Sequence, residues 1–77
     1  MTDTAIKRER RPTSVGRRIH QARIDARMTQ EQLAGACGCH RGTITNIETG
    51  WQSVSIGLLV KIAKVLNTTP DHLLQDI

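Results

Sequence analysis

Two side chains five positions apart, Arg41 and Asn46, are of types that can hold a planar partner through paired hydrogen bonds. A guanidinium can chelate O6 and N7 of guanine, and a carboxamide can do the same for N6 and N7 of adenine. Thr45 beside them can offer its methyl group to a thymine. Gly42 carries no side chain and cannot read a base, but it lets the backbone approach closely. The competing role for Arg41 is a phosphate contact, which carries no sequence information. For Asn46 it is a phosphate contact or a solvated position.

A second constellation, Cys37-Gly38-Cys39-His40, has metal-ligand types. Zinc needs four ligands in structural sites and three in catalytic ones. The remaining histidines, His20 and His72, stand far away with no matching spacing. The two cysteines therefore read as small buried hydrophobes, and no metal or cofactor is expected. Two thiols this close cannot build a disulfide framework either.

The elements that would position these residues follow from periodicity. Val15, Ile19, Ala22 and Ala26 fall on one helical face, so a first helix is expected from a Ser14 cap to about Arg27. Thr29-Gln30-Glu31-Gln32 is a capping box that opens a second helix, with Leu33, Ala34 and Cys37 on its apolar side and Gly38 as its stop. A third helix carries Ile44 and Ile47 and ends at Gly50. Two short helices around a tight glycine turn make a helix-turn-helix unit over residues 29–49. Ser55 can cap a fourth helix with Leu59, Ile62, Ala63 and Leu66 inward, and Asn67 stops it. Thr69-Pro70 then supplies the cap and first residue of a fifth helix with Leu73, Leu74 and Ile77. No alternating strand pattern occurs. The expected fold is all-α, a five-helix bundle with an aliphatic core, since the chain has no Phe or Tyr.

Charge is distributed unevenly. Residues 1–27 hold eight of the eleven basic residues against three acidic ones, while residues 28–77 hold three against four. That asymmetry suits a polyanion, either nucleic acid or an anionic membrane surface; the plainer reading is a solvated basic tail. Residues 1–13 are expected to be a disordered basic arm, with 14–77 as the folded domain. The run Lys7-Arg8-Glu9-Arg10-Arg11 can reach a minor groove or track phosphates, with Arg10 and Arg11 as backbone contacts. No apolar run approaches the ~20 residues of a membrane span, and Pro12-Thr13-Ser14 follows the basic start where a signal peptide would be apolar. A cytoplasmic, non-membrane protein is expected. With 77 residues, scattered histidines and no phosphate-cradling glycine loop, an enzyme is not expected.

The stretch Met28-Thr29-Gln30-Glu31-Gln32-Leu33-Ala34, then Gly38, then Arg41-Gly42-Thr43-Ile44-Thr45-Asn46-Ile47-Glu48-Thr49-Gly50, resembles the lambdoid phage repressor (Xre-type) helix-turn-helix family. So does Leu59-Val60-Lys61-Ile62-Ala63-Lys64-Val65-Leu66, followed by Pro70-Asp71-His72-Leu73-Leu74. The resemblance implies a bacterial or phage-encoded repressor, homodimeric on a palindromic operator of double-stranded DNA. It makes the helix beginning at Arg41 the recognition helix and lays the helix beginning at Gln30 across the backbone. Gln30, His40, Thr43 and Trp51 would then touch the DNA backbone, and Arg23 with Glu48 would form a structural salt bridge. Trp51 can alternatively cap the core or lie at a dimer contact. Leu73, Leu74 and Ile77 can serve dimerisation or simply dock on the fourth helix. The sequence departs from the family at His40, Gly42 and Trp51. A different use of the same fold, as an antitoxin-like or other module acting through a protein partner, stays open.

Overall fold

The computed structural model describes residues 14–74, and among them there are five helices and no strand. They are α1 (Ser14–Asp25), α2 (Gln30–Cys37), α3 (Arg41–Thr49), α4 (Ile56–Val65) and α5 (Pro70–Leu73). The basic arm with Arg10 and Arg11, and Ile77 at the other end, lie outside the described residues.

Each helix contributes to one aliphatic core. Ile19 from α1, Leu33 from α2, Ile44 and Ile47 from α3, Ile62 from α4 and Leu73 from α5 are all fully buried. Helix α3 packs on both α1 and α2, α4 covers α2, and α5 closes against α1 and α4. Cys37 belongs to this core and Cys39 packs partly buried against it. Leu74, expected on an apolar face, is the residue after α5 and is 40% exposed.

Capping chemistry fixes the start of α2. The Gln32 N–H donates to Thr29 Oγ1 at 3.0 Å, and the Thr29 N–H donates to Gln32 Oε1 at 2.9 Å. Ser55 and Thr69 accept in the same way from the N–H groups of Leu58 and His72. His40 takes the cap position of α3 with extended backbone but makes no side-chain cap bond.

Four helices end through one device. In each, a left-handed residue turns the chain and the next N–H reaches back to the last turn, as in the Schellman motif. Gly38 (φ 74°) and Gly50 (φ 86°) do this after α2 and α3. After them, Cys39 N–H donates to Ala34 O at 2.9 Å and Trp51 N–H to Asn46 O at 2.8 Å. After α4 the left-handed residue is Asn67, with φ 59°. After α1 it is Arg27 at φ 60°, and Met28 N–H donates to Arg23 O at 3.1 Å. Helix α1 therefore stops at Asp25, two residues before the expected end, and Ala26 is exposed. Ser14, expected as the cap, is itself the first helical residue. An arginine in this conformation bears a steric cost of roughly 1–2 kcal/mol, so no sequence signal marked the stop.

Candidate nucleic-acid interface

Helix α3 presents two different faces. Ile44, Ile47 and Glu48 point inward and are buried. Arg41, Gly42, Asn46 and Thr49 are exposed, with Thr43 and Thr45 half-buried between the faces. The αL turn at Gly38 places the start of α3 only three residues after the end of α2. The outward face is therefore held at a fixed angle to α2 by the core contacts beneath it.

Polar bonds refine this arrangement. The Thr45 hydroxyl lies 2.9 Å from Gln30 Oε1 and 3.1 Å from the Arg41 carbonyl, so its one hydrogen is engaged inside the protein. Thr49 Oγ1 donates to Thr45 O at 2.8 Å. Asn46 Nδ2 donates to Gln52 Oε1 at 3.3 Å. Gln52 was not singled out from the sequence; it follows the α3 stop and is brought back over the last turn by the bond between its own N–H and Asn46 O. Trp51 beside it is 59% exposed.

Gln30, expected to contact the DNA backbone, has its side chain bonded within the protein. Its Nε2 donates to Glu48 Oε1 at 3.0 Å while its Oε1 faces Thr45. The amide thus ties the start of α2 to the middle of α3. The capping box takes up the N–H groups of Thr29 and Gln32, leaving those of Gln30 and Glu31 for an outside acceptor. The start of a helix favours an anion there.

Glu48 is the hub. Its Oε2 accepts from Arg23 Nε at 2.7 Å, and its Oε1 lies 3.1 Å from Arg23 Nη2 and 3.0 Å from His20 Nδ1. Arg23 Nη1 donates in turn to the Met28 carbonyl at 2.8 Å. Both Arg23 and Glu48 are buried, at 7% and 5% exposure. One carboxylate therefore joins α1, α2 and α3. His20 was missed by sequence reasoning, although it stands three residues before Arg23 on the same side of α1, a spacing that brings helical side chains together.

Burial pushes the Glu48 carboxyl up, but the hydrogen bonds from Arg23, His20 and Gln30 together with the Arg23 charge outweigh it and hold the group below its ordinary value of 4.5. A depressed folded-state value means that the ionised form stabilises the fold. That contribution is complete above the unfolded-state value and is lost as pH falls through the folded one. Urea midpoints measured from pH 7 downward should stay level until about pH 4.5 and then fall, and the fall should be shallower in Glu48→Gln.

Among the described residues no group of three His, Cys, Asp or Glu side chains is placed to hold a metal ion. Burial, then the neighbouring Cys39, raise the Cys37 thiol above its usual value, against a smaller opposing effect of Lys61. The thiol form that results is the unreactive one. No helix of the described residues is long and apolar enough to cross a membrane.

The helix-turn-helix family model matches residues 19–73, from the middle of α1 to the end of α5. The chain belongs to this helix-turn-helix family. Within it the chain is of the Xre and lambda-repressor type, a DNA-binding regulator of transcription. It is 40% identical over 60 residues to the control protein C.BamHI of Bacillus amyloliquefaciens, a match covering 77% of this chain and 74% of the relative. The restriction-modification controller protein C.AhdI from Aeromonas hydrophila has a solved structure that superposes with a TM-score of 0.75 at 30% identity, covering 78% of this chain and 91% of that one. The SinR protein/SinI protein complex contains a chain that superposes with a TM-score of 0.77 at 30% identity, over 80% of this helix-turn-helix chain and 61% of that one.

Proposed function

We propose that this chain is a sequence-specific repressor that binds a palindromic operator as a symmetric dimer, with α3 in the major groove. The observation that carries the reading is the division of α3. Its inner face is locked by Ile44, Ile47 and the Glu48 hub, while Arg41 and Asn46 stand exposed on the outer one. A rigidly seated helix with exposed bidentate donors is what base readout needs. Arg41 takes a guanine, Asn46 exchanges its long bond to Gln52 for an adenine, and Thr45, its hydroxyl already engaged, offers its methyl to a thymine. Gln30 contacts a phosphate through its backbone N–H rather than its amide. His40, Thr43 and Trp51 flank the groove and contact the backbone, and Arg10 and Arg11 of the arm add phosphate contacts. The likeness to a control protein and a controller protein supports a regulatory role.

A second reading is favoured by the likeness to a chain solved in a complex of two proteins. In it, the same fold acts through a protein partner.

Selection of bound sequences from a random duplex pool, followed by titration at two salt concentrations, separates the readings. An enriched palindrome with half-sites about 34 Å apart, bound ~10³-fold or more above random DNA, supports the dimeric regulator. No enrichment, with weak binding that vanishes as salt rises, rejects sequence-specific binding by the chain alone.

A further inference from the structure

One exposed side chain beside the outer face of α3 has no role of its own in the reading above. Gln52 lies two residues beyond the Gly50 stop, in the loop that leads to α4. The left-handed turn at Gly50 sends the chain back over the last turn of α3. There the N–H groups of Trp51 and Gln52 both donate to the Asn46 carbonyl, at 2.8 and 3.2 Å. The Gln52 backbone is thereby fixed beside Asn46. Its side chain meets the same residue, with Oε1 accepting from Asn46 Nδ2 at 3.3 Å. Both residues are exposed.

The two side chains end in the same group. A carboxamide sets an acceptor and a donor side by side, the combination that pairs with N6 and N7 of adenine. The bonded atoms of the two amides are 3.3 Å apart, close to the ~3.4 Å rise between base pairs. When Asn46 gives up this bond for a base, Gln52 Oε1 loses its donor. A polar group left without a partner as an interface closes costs free energy until another replaces it. A phosphate accepts hydrogen bonds and donates none, so it would meet the donor half of the amide and leave Oε1 unserved. The edge of the neighbouring base pair serves both halves.

We propose that Gln52 is a further specificity-determining residue, reading the base pair next to the one read by Asn46 and selecting adenine there. This rests on the DNA-binding reading above. In the free chain the bond between the amides keeps both side chains at the outer face. On the duplex it opens, and each amide takes one base. The preferred half-site therefore carries adenines at two successive base pairs, and the reading surface extends beyond α3 into the loop that follows it.

The test selects duplexes with the full chain and then measures binding to a panel carrying each of the four base pairs at every position of the half-site. Asn46→Ala should lose discrimination at one position and Gln52→Ala at the adjacent one, each by about tenfold. Gln52→Glu keeps the length and the acceptor but has no donor. Its preference at that position should move from adenine to cytosine, whose N4 donates to a carboxylate. Thermal unfolding of the variants should match the wild type, because the α3 stop is held by backbone bonds. A Gln52→Ala variant that keeps the wild-type preference at every position overturns the proposal while leaving the DNA-binding reading intact. So does an equal loss on every duplex, the mark of a phosphate contact. A loss confined to the position read by Asn46 overturns it too, since Gln52 would then only support that side chain. Failure of the wild-type chain to enrich any duplex overturns both.

Discussion

Replacing Glu48 with alanine should destabilise the fold by about 3–5 kcal/mol, the usual consequence of stranding one member of a buried ion pair. The arginine left behind is buried, at 7% exposure, and keeps only its bond to the Met28 carbonyl and its contact with His20 Nδ1, neither of which carries a countercharge. His20 and Gln30 lose their shared acceptor at the same moment. A domain of this size has a total stability of roughly 5–10 kcal/mol, so Glu48→Ala should be close to unfolding at 37 °C. Glu48→Gln retains an acceptor oxygen and should lose less. Urea denaturation followed by circular dichroism reads both variants, and the midpoint should move while the slope stays constant. A loss under about 1 kcal/mol would be the behaviour of an exposed pair, and would remove Glu48 from its place as the tie among three helices.

Arg41→Ala should leave stability nearly unchanged, because the side chain is exposed at the first position of α3. Its expected effect is on binding: a loss of about 1–3 kcal/mol on the preferred duplex, with relaxed preference at one base pair. The measurement is a panel of duplexes carrying each of the four base pairs at every position of the selected site. A guanine reader loses discrimination at one position and keeps it elsewhere. An equal loss on preferred and random duplexes would instead make Arg41 a phosphate contact.

These two residues also show what could be read from the sequence and what could not. Thr29, Gln32 and Gly38 act within a few residues of each other, so the start and stop of α2 were legible from local chemistry. The end of α1 was not, because Arg27 adopts a conformation that its residue type gives no hint of. Arg23 and Glu48 are 25 residues apart, and no local rule joins them. Only the family resemblance suggested the pair. His20 joined it unannounced, since a half-exposed histidine on a helix has many possible neighbours. Gln30 was placed rightly at a helix start, but the sequence could not show that Thr45 and Glu48 would occupy its amide. The outward set of α3 was legible because its inward set, Ile44 and Ile47, was.

The two-faced character of α3 bears on how such a protein changes over generations. Foldedness depends on Ile44, Ile47 and Glu48, whereas Arg41, Gly42 and Asn46, on the proposed reading face, are exposed. Gly42 is the clearest case: a Cβ built there would meet nothing within 4 Å. A Cβ at that position meets no obstacle from the fold, and alanine would favour the helix over glycine by up to about 1 kcal/mol. If the outer face reads the target as proposed, a lineage can change its preference at Gly42 without disturbing the core. New targets become accessible one substitution at a time, without a detour through unstable intermediates.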